Sequence, residues 1–311
     1  MVDISASPGL TAGQEQSFSD ALPGDYITLM KPRVMFLVVF TGLAGLVAAP
    51  TSINPILAAV AVLAIALATG GAGAINMWYD RDIDAIMERT RARPIPLGLI
   101  EPSNALAFGV IVTIASICMM GLAVNWLSAG ILAAASFTYV FVYTIWLKRR
   151  SPQNIVIGGA SGAFPPMIGW AAATNHVGMT AISLFLITFL WTPPHFWALS
   201  LYRCKDYARA GVPMMSVTAG PKSTKRQMLV YTLLLFPFGV APYFLGAAGP
   251  IYLAGSTLLG LMFIAAAVAV IRDETDSSAK RMFGFSILYL FLIFGLLMID
   301  AGPGLIARLG G

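Results

Sequence analysis

Nine apolar runs, each close to the length that crosses a bilayer, constrain this chain more than any other feature. They lie at 32–50, 55–75, 104–124, 127–146, 154–173, 179–200, 228–248, 250–271 and 282–306. A helix rises about 1.5 Å per residue and the hydrocarbon core is about 30 Å thick, so a span takes about 20 residues. In lipid a backbone must satisfy its own hydrogen bonds, which makes runs of this kind helical. Charged residues are 11% of the chain, against about 25% in soluble domains. The expected fold is all-α: a polytopic membrane protein with nine transmembrane helices in a bundle. Pro165-Pro166, Pro193-Pro194, Pro237 and Pro242 fall inside the runs. They predict kinks, which bundles tolerate and which can open a central cavity.

The net charge of +5 would suit a nucleic-acid partner if it were spread over a soluble surface. Its placement argues otherwise. With the N-terminus in the cytoplasm, the inner segments hold Lys31 and Arg33; Arg81, Arg89, Arg91 and Arg93; Lys148, Arg149 and Arg150; Arg203, Lys205, Arg209, Lys222, Lys225 and Arg226; and Arg272, Lys280 and Arg281. Of the 19 basic residues, only Arg308 falls outside. An excess of Lys and Arg on the inner side is the rule for polytopic membrane proteins. It supports an inner N-terminus, an outer C-terminus and an odd number of spans, and no nucleic-acid partner is expected.

Residues 1–25 carry Asp3, Glu15, Asp20 and Asp25 and no basic residue, so they lack the positive start of a signal peptide. They are expected to form a flexible cytoplasmic tail, with 26–311 as one transmembrane domain. Cys118 lies in an apolar run and Cys204 in a basic loop, which predicts neither a disulfide nor a thiolate metal site.

Function is expected on the two long inner loops, about 76–103 and 201–227, because charged loops on a rigid scaffold carry chemistry. Their spacing, four spans apart, suggests two related helical halves. The first loop opens on Asn76-Met-Trp-Tyr-Asp80-Arg-Asp82-Ile-Asp84. Asn76, Asp80 and Asp84 are four apart and stay near one helix face, while Asp82 points away and suits a local salt bridge. Clustered oxygen ligands suit Mg²⁺, which is commonly shared with a phosphate-bearing substrate. The run continues through Glu88, Arg89, Arg91 and Arg93, and guanidinium groups there could grip a diphosphate. Acids at a span end, rather than at mid-membrane, argue for chemistry over an ion-coupled transporter.

Other segments are more ambiguous. The second long loop offers one acid, Asp206, with Ala210 four residues on. Lys148-Arg149-Arg150 would complete a phosphate clamp or simply anchor the inner side. His195 follows Pro193-Pro194 among Trp191, Phe196 and Trp197, and is either a haem contact or a histidine hydrogen-bonded within the bundle. His176, in a short outer loop, is expected to have no such role.

Taken together these strings resemble the UbiA-type intramembrane prenyltransferase superfamily. They are similar, within it, to the protohaem IX farnesyltransferase branch. The resemblance rests on Asn76 through Ala85, Arg89 through Pro94, Tyr143 through Arg149, Gly158 through Pro166, Trp191 through Trp197 and Tyr202 through Pro213. It implies a helical bundle around a central cavity in the inner membrane of a bacterial-type cell. The implied reaction joins the farnesyl group of farnesyl diphosphate to a vinyl group of haem B, with water completing haem O. It implies that Asn76, Asp80, Asp84 and Asp206 hold Mg²⁺–diphosphate and that Arg93, Lys148 and Arg149 hold phosphate oxygens. Tyr143 would shield a carbocation-like centre, Arg203 would pair with a haem propionate, and His195 would contact haem. A downstream haem-modifying membrane enzyme is a candidate partner. The chain departs from the superfamily at the second motif, where two acids four apart are usual. The nearest rival reading keeps the fold and changes the acceptor to an aromatic quinone precursor.

Overall fold

The structure, a computed structural model, describes residues 21–309, with side chains described through residue 301. The expected tail falls mostly outside the described residues, as does the side chain of Arg308. The helices are α1 (Pro23–Leu29), α2 (Pro32–Val47), α3 (Pro55–Tyr79), α4 (Arg81–Ile86), α5 (Pro102–Ala123), α6 (Trp126–Phe137), α7 (Asn154–Gly158), α8 (Ala160–Thr174), α9 (Met179–Tyr202), α10 (Cys204–Arg209), α11 (Met215–Thr218), α12 (Gly220–Phe244), α13 (Pro250–Arg272) and α14 (Ser277–Leu309). A wider π-helix, Thr138–Leu147, continues α6. No strand occurs among the described residues.

Eight helices or helix pairs meet the length and hydropathy of a membrane span, and a ninth is obtained if α1 and α2 count as one. The run at 32–50 gives a helix of only 16 residues, about 24 Å at the helical rise and so short of the hydrocarbon core. Before it stands α1, which begins at Pro23. The two meet at a 58° bend. Lys31 stands at the bend with φ of 56°, and Pro32 behind it has no N–H to continue the ladder. The six interior prolines of α8, α9 and α12 leave those helices unbroken.

The spans pack as two closed sets. In the first, α2, α3, α5, α6 and α8 follow one another around a circuit; in the second, α9, α12, α13 and α14 do so. They meet along α8 against α9 and α2 against α14. Phe40 and Phe291 stack at 4.5 Å across the latter seam. This supports two halves, each ending its key span in a short acid-bearing helix: α3 leads into α4, and α9 into α10.

Glycines set the closest approaches. A Cβ on Gly45 would lie 1.9 Å from the Pro166 carbonyl oxygen, and one on Gly169 would lie 1.9 Å from that of Gly42. A Cβ on Gly71 would lie 2.8 Å from the Gly109 oxygen. Lipid supplies no hydrophobic drive between helices, so close backbone packing through small residues holds α2 to α8 and α3 to α5.

Candidate active site

The first acidic loop begins as a helix that barely breaks. Asp80 caps α3 and α4 resumes at once, the Asp84 N–H donating to the Asp80 carbonyl at 2.8 Å. Asn76, Asp80 and Asp84 therefore share a face, and they are 3%, 0% and 1% exposed. Asp82, two residues from Asp80, is rotated about 200° around the helix, and its side chain is 62% exposed. The face that spacing assigned to the metal is the buried one, and Asp82 stands apart from it.

Each member of the buried face carries a cation. Lys148 donates to Asp80 Oδ2, and Arg93 donates to Asp84 Oδ2 at 2.6 Å. Lys31 reaches across from the α1–α2 bend to Asn76 Oδ1 at 2.6 Å. The Asn76 amide donates to Asp80 Oδ2 at 2.7 Å and to Thr144 Oγ1 at 3.1 Å. Buried charges persist only when paired, and this face is neutralised by three elements besides its own. Arg149 instead forks onto Asp82 at 2.8 and 2.6 Å and donates to the Tyr79 carbonyl. It lies 3.6 Å from Asp80 Oδ1.

That fork holds the Asp82 carboxyl below the usual carboxylate range, with the Arg149 hydrogen bond as its largest cause. The pair's stabilisation is therefore present above the ordinary carboxylate pKa and is lost as pH falls through the lowered one. An exposed pair of this kind contributes about 0.5 kcal/mol. Asp82→Asn is expected to leave turnover within about threefold and to move the thermal midpoint by only a degree or two, measured in detergent at neutral pH. A larger loss of turnover would return Asp82 to the cation-binding set.

The second loop meets the first. Asp206, 7% exposed, accepts from the Glu88 N–H at 3.3 Å and from Arg209 at 2.6 Å. Glu88 lies 3.9 Å from Arg203 and 3.8 Å from Arg209. Arg89 sits over the Tyr207 ring at 5.1 Å. Burial pushes the Tyr207 phenol above its ordinary pKa, so it remains a donor at neutral pH. Beneath these contacts Ile83, Met87, Ile155, Tyr207, Val212 and Met214 form one apolar cluster, with Tyr143 and Phe196 against it. Tyr143 stacks on Tyr139 at 5.6 Å.

His195 does not join the acids through any hydrogen bond among the described residues. Its Nδ1 shares a hydrogen with Ser286 Oγ at 2.6 Å, and its ring stacks between Trp191 and Phe283 at 4.3 and 4.7 Å. Trp191 Nε1 donates to the Ser286 carbonyl. These contacts are those of a histidine hydrogen-bonded within the bundle, tying α9 to α14. His176 is exposed in the loop between α8 and α9.

Two buried carboxylate oxygens, Asp80 Oδ1 and Asp206 Oδ2, accept no hydrogen bond. Leaving such oxygens unpaired is costly, and hard oxygen donors are what Mg²⁺ takes. The residues thus fit that ion. No three His, Cys, Asp or Glu side chains gather for a metal among the described residues, so a bound ion would need ligands from a substrate as well.

Spacing alone did not find Lys31, Thr144 or Tyr139. Lys31 reads as one more inner anchor, but Gly70 and Gly73 carry a signal. A Cβ on Gly70 would lie 2.4 Å from Met30, and one on Gly73 would touch Leu29, Met30 and Lys31. Those glycines let the α1–α2 bend settle onto α3.

Comparison with known proteins agrees with this fold. Residues 37–295 match the model of the UbiA prenyltransferase family. The chain is 57% identical over 299 residues to a protein named protoheme IX farnesyltransferase from Acidiphilium cryptum, covering 93% of this chain and 94% of that one. It is 55% identical over 289 residues to one of the same name from Brucella anthropi, covering 92% and 93%. Among solved structures, a digeranylgeranylglyceryl phosphate synthase superposes with TM-score 0.75 at 19% identity, covering 89% of this chain and 98% of that one. A UbiA homolog from Archaeoglobus fulgidus bound to DMAPP and Mg²⁺ gives 0.63 at 14%, covering 88% and 99%. At those identities the structural likeness speaks for the fold.

Proposed function

Since the chain belongs to the UbiA prenyltransferase family, we propose that it transfers the farnesyl group of farnesyl diphosphate to a vinyl group of haem B, with water addition, giving haem O and diphosphate. The observation that carries the acceptor is the 57% identity, over nearly the full length, to a protein named for that activity. The donor reading is supported by the buried face of Asn76, Asp80 and Asp84 and its attendant cations.

Mg²⁺, when bound, would neutralise charge on the departing diphosphate. Asp80 and Asp84, with Asn76 and with Asp206 across the loop contact, would hold it. Lys148 and Arg93 are then free to turn from the carboxylates to phosphate oxygens, joined by Lys31. The leaving group would depart into a setting already rich in fixed donors, so little reorganisation is needed as the carbon–oxygen bond breaks. Arg149 remains clamped to Asp82 and supports the rim. Tyr143 and Tyr139 present ring faces beside this site and would shield an allylic cation from early attack by water. Arg203, with an exposed side chain near Glu88, suits a haem propionate at the cytoplasmic mouth. His195 would touch haem through Nε2, its Nδ1 being held by Ser286. The enzyme would sit in the inner membrane with its N-terminus and both acid-bearing loops in the cytoplasm, as the basic-residue count argues.

Membranes of cells overproducing the chain are expected to accumulate a haem in which one vinyl has become a hydroxyethylfarnesyl group, heavier than haem B by a farnesyl group and a hydroxyl and identified by mass after acid–acetone extraction. If purified protein instead prenylates 4-hydroxybenzoate and leaves haem B unchanged, the acceptor assignment fails.

A further inference from the structure

Thr138–Leu147 forms a ten-residue π-helix, a coil that is rare and is usually confined to single turns near functional sites. Its hydrogen bonds run five residues back, the Lys148 N–H donating to the Tyr143 carbonyl at 2.8 Å. One face of such a coil therefore repeats every four to five residues. Tyr139, Thr144 and Lys148 fall on that repeat, and all three meet the first acidic face. The Tyr139 hydroxyl lies 3.5 Å from Lys31 Nζ, Thr144 Oγ1 lies 3.1 Å from the Asn76 amide, and Lys148 bonds Asp80. In an α-helix the nine steps from Tyr139 to Lys148 would turn them to opposite sides, at about 100° per residue.

Thr144 links this coil to the site. It is fully buried. Its hydroxyl donates to the Tyr139 carbonyl, five residues back, at 2.8 Å. With that hydrogen spent, the oxygen can only accept, and what it accepts is the Nδ2 of Asn76. The NH₂ end of the amide is thereby fixed toward Thr144 and Asp80, and the carbonyl end is left toward Lys31. A flipped amide would set NH₂ against an ammonium and a carbonyl against a carboxylate.

We infer that Thr144 is a positioning residue, which together with Asp80 sets the orientation of the Asn76 amide and so keeps its oxygen directed at Lys31, where it becomes free as an ion ligand when Lys31 turns to a phosphate. This rests on the diphosphate-site reading above. The test measures binding of inorganic diphosphate with Mg²⁺, by calorimetry and by thermal protection of the purified chain, so that it does not depend on haem or on turnover. Thr144→Val keeps the shape and removes the acceptor, and is expected to weaken binding about tenfold. Thr144→Ser keeps the hydroxyl and is expected within about twofold of the parent. In an Asn76→Asp background, where the two ends of the side chain are equivalent, Thr144→Val should change binding by less than about twofold. If Thr144→Val does not fold, Thr144→Cys carries the same comparison. A folded Thr144→Val with parental binding overturns the inference, as does an equal loss in both backgrounds, which marks a merely structural role. A parent chain that binds no Mg²⁺ with diphosphate overturns the functional reading first, and this inference with it.

Discussion

Replacing Asp80 or Asp84 by asparagine is expected to cut farnesyl transfer about a thousandfold in protein that still folds. Asparagine keeps the outline and one acceptor oxygen, so Lys148 and Arg93 retain a partner in the resting state. What is lost is the negative charge that lets a divalent ion join a site already crowded with Lys31, Arg93, Lys148 and Arg149. The sign of a second readout separates this from general damage. Removing a carboxylate makes the local charge more positive, so metal-free diphosphate should bind at least as tightly as before, while added Mg²⁺ should no longer tighten it. Turnover as a function of Mg²⁺, together with diphosphate binding with and without the ion, checks both. Normal Mg²⁺ dependence in Asp80→Asn would remove this residue from the ion-holding set.

The second large effect is on assembly. Gly169→Val is expected to abolish recovery of monodisperse protein, whereas Gly162→Ala, on the same helix, should be silent or slightly stabilising. A Cβ at Gly169 would lie 1.9 Å from a backbone oxygen of α2, and one at Gly162 meets nothing within 4 Å. Extra methylenes among yielding side chains cost about 1–3 kcal/mol. Here the opposing atoms are backbone, so α2 and α8 must separate, a large fraction of a total stability of about 5–15 kcal/mol. Size-exclusion profiles and thermal unfolding in detergent give the comparison. A well-behaved Gly169→Val would mean that this contact can relax.

How far the chain could be read without its structure depended on whether the local period was the usual one. Asp80, Asp82 and Asp84 sit on α-helical turns, so the arithmetic of 100° per residue separated the buried pair from the exposed one. The spans were legible because length and hydropathy are additive properties of a run. The first differs in extent, because its apolar stretch stops at Lys31 while the helical path continues as α1 beyond a bend. Thr144 and Tyr139 were hidden because a π-coil changes which residues share a face, and nothing in Thr138–Leu147 announces that change. Lys31 and Lys148 share one surface explanation, inner-side anchoring, which charge counting cannot distinguish from a place in the site. His195 was ambiguous for another reason. Aromatic neighbours suit a haem contact or a packed interior equally, and only the Ser286 hydroxyl on α14, 91 residues away, fixes its Nδ1.

The placement of α4 and α10 in different halves has a consequence for the cell. An allylic diphosphate is a reactive compound, and a half-built site that could ionise it would waste it to water. Here Asn76, Asp80 and Asp84 are carried by the first circuit of helices and Asp206 by the second, and the two loops meet where the Glu88 N–H donates to Asp206. If the proposed ion site needs both loops, a chain whose halves have failed to seat would be expected to be inert rather than wasteful. Correct insertion would then itself act as the safeguard on the chemistry.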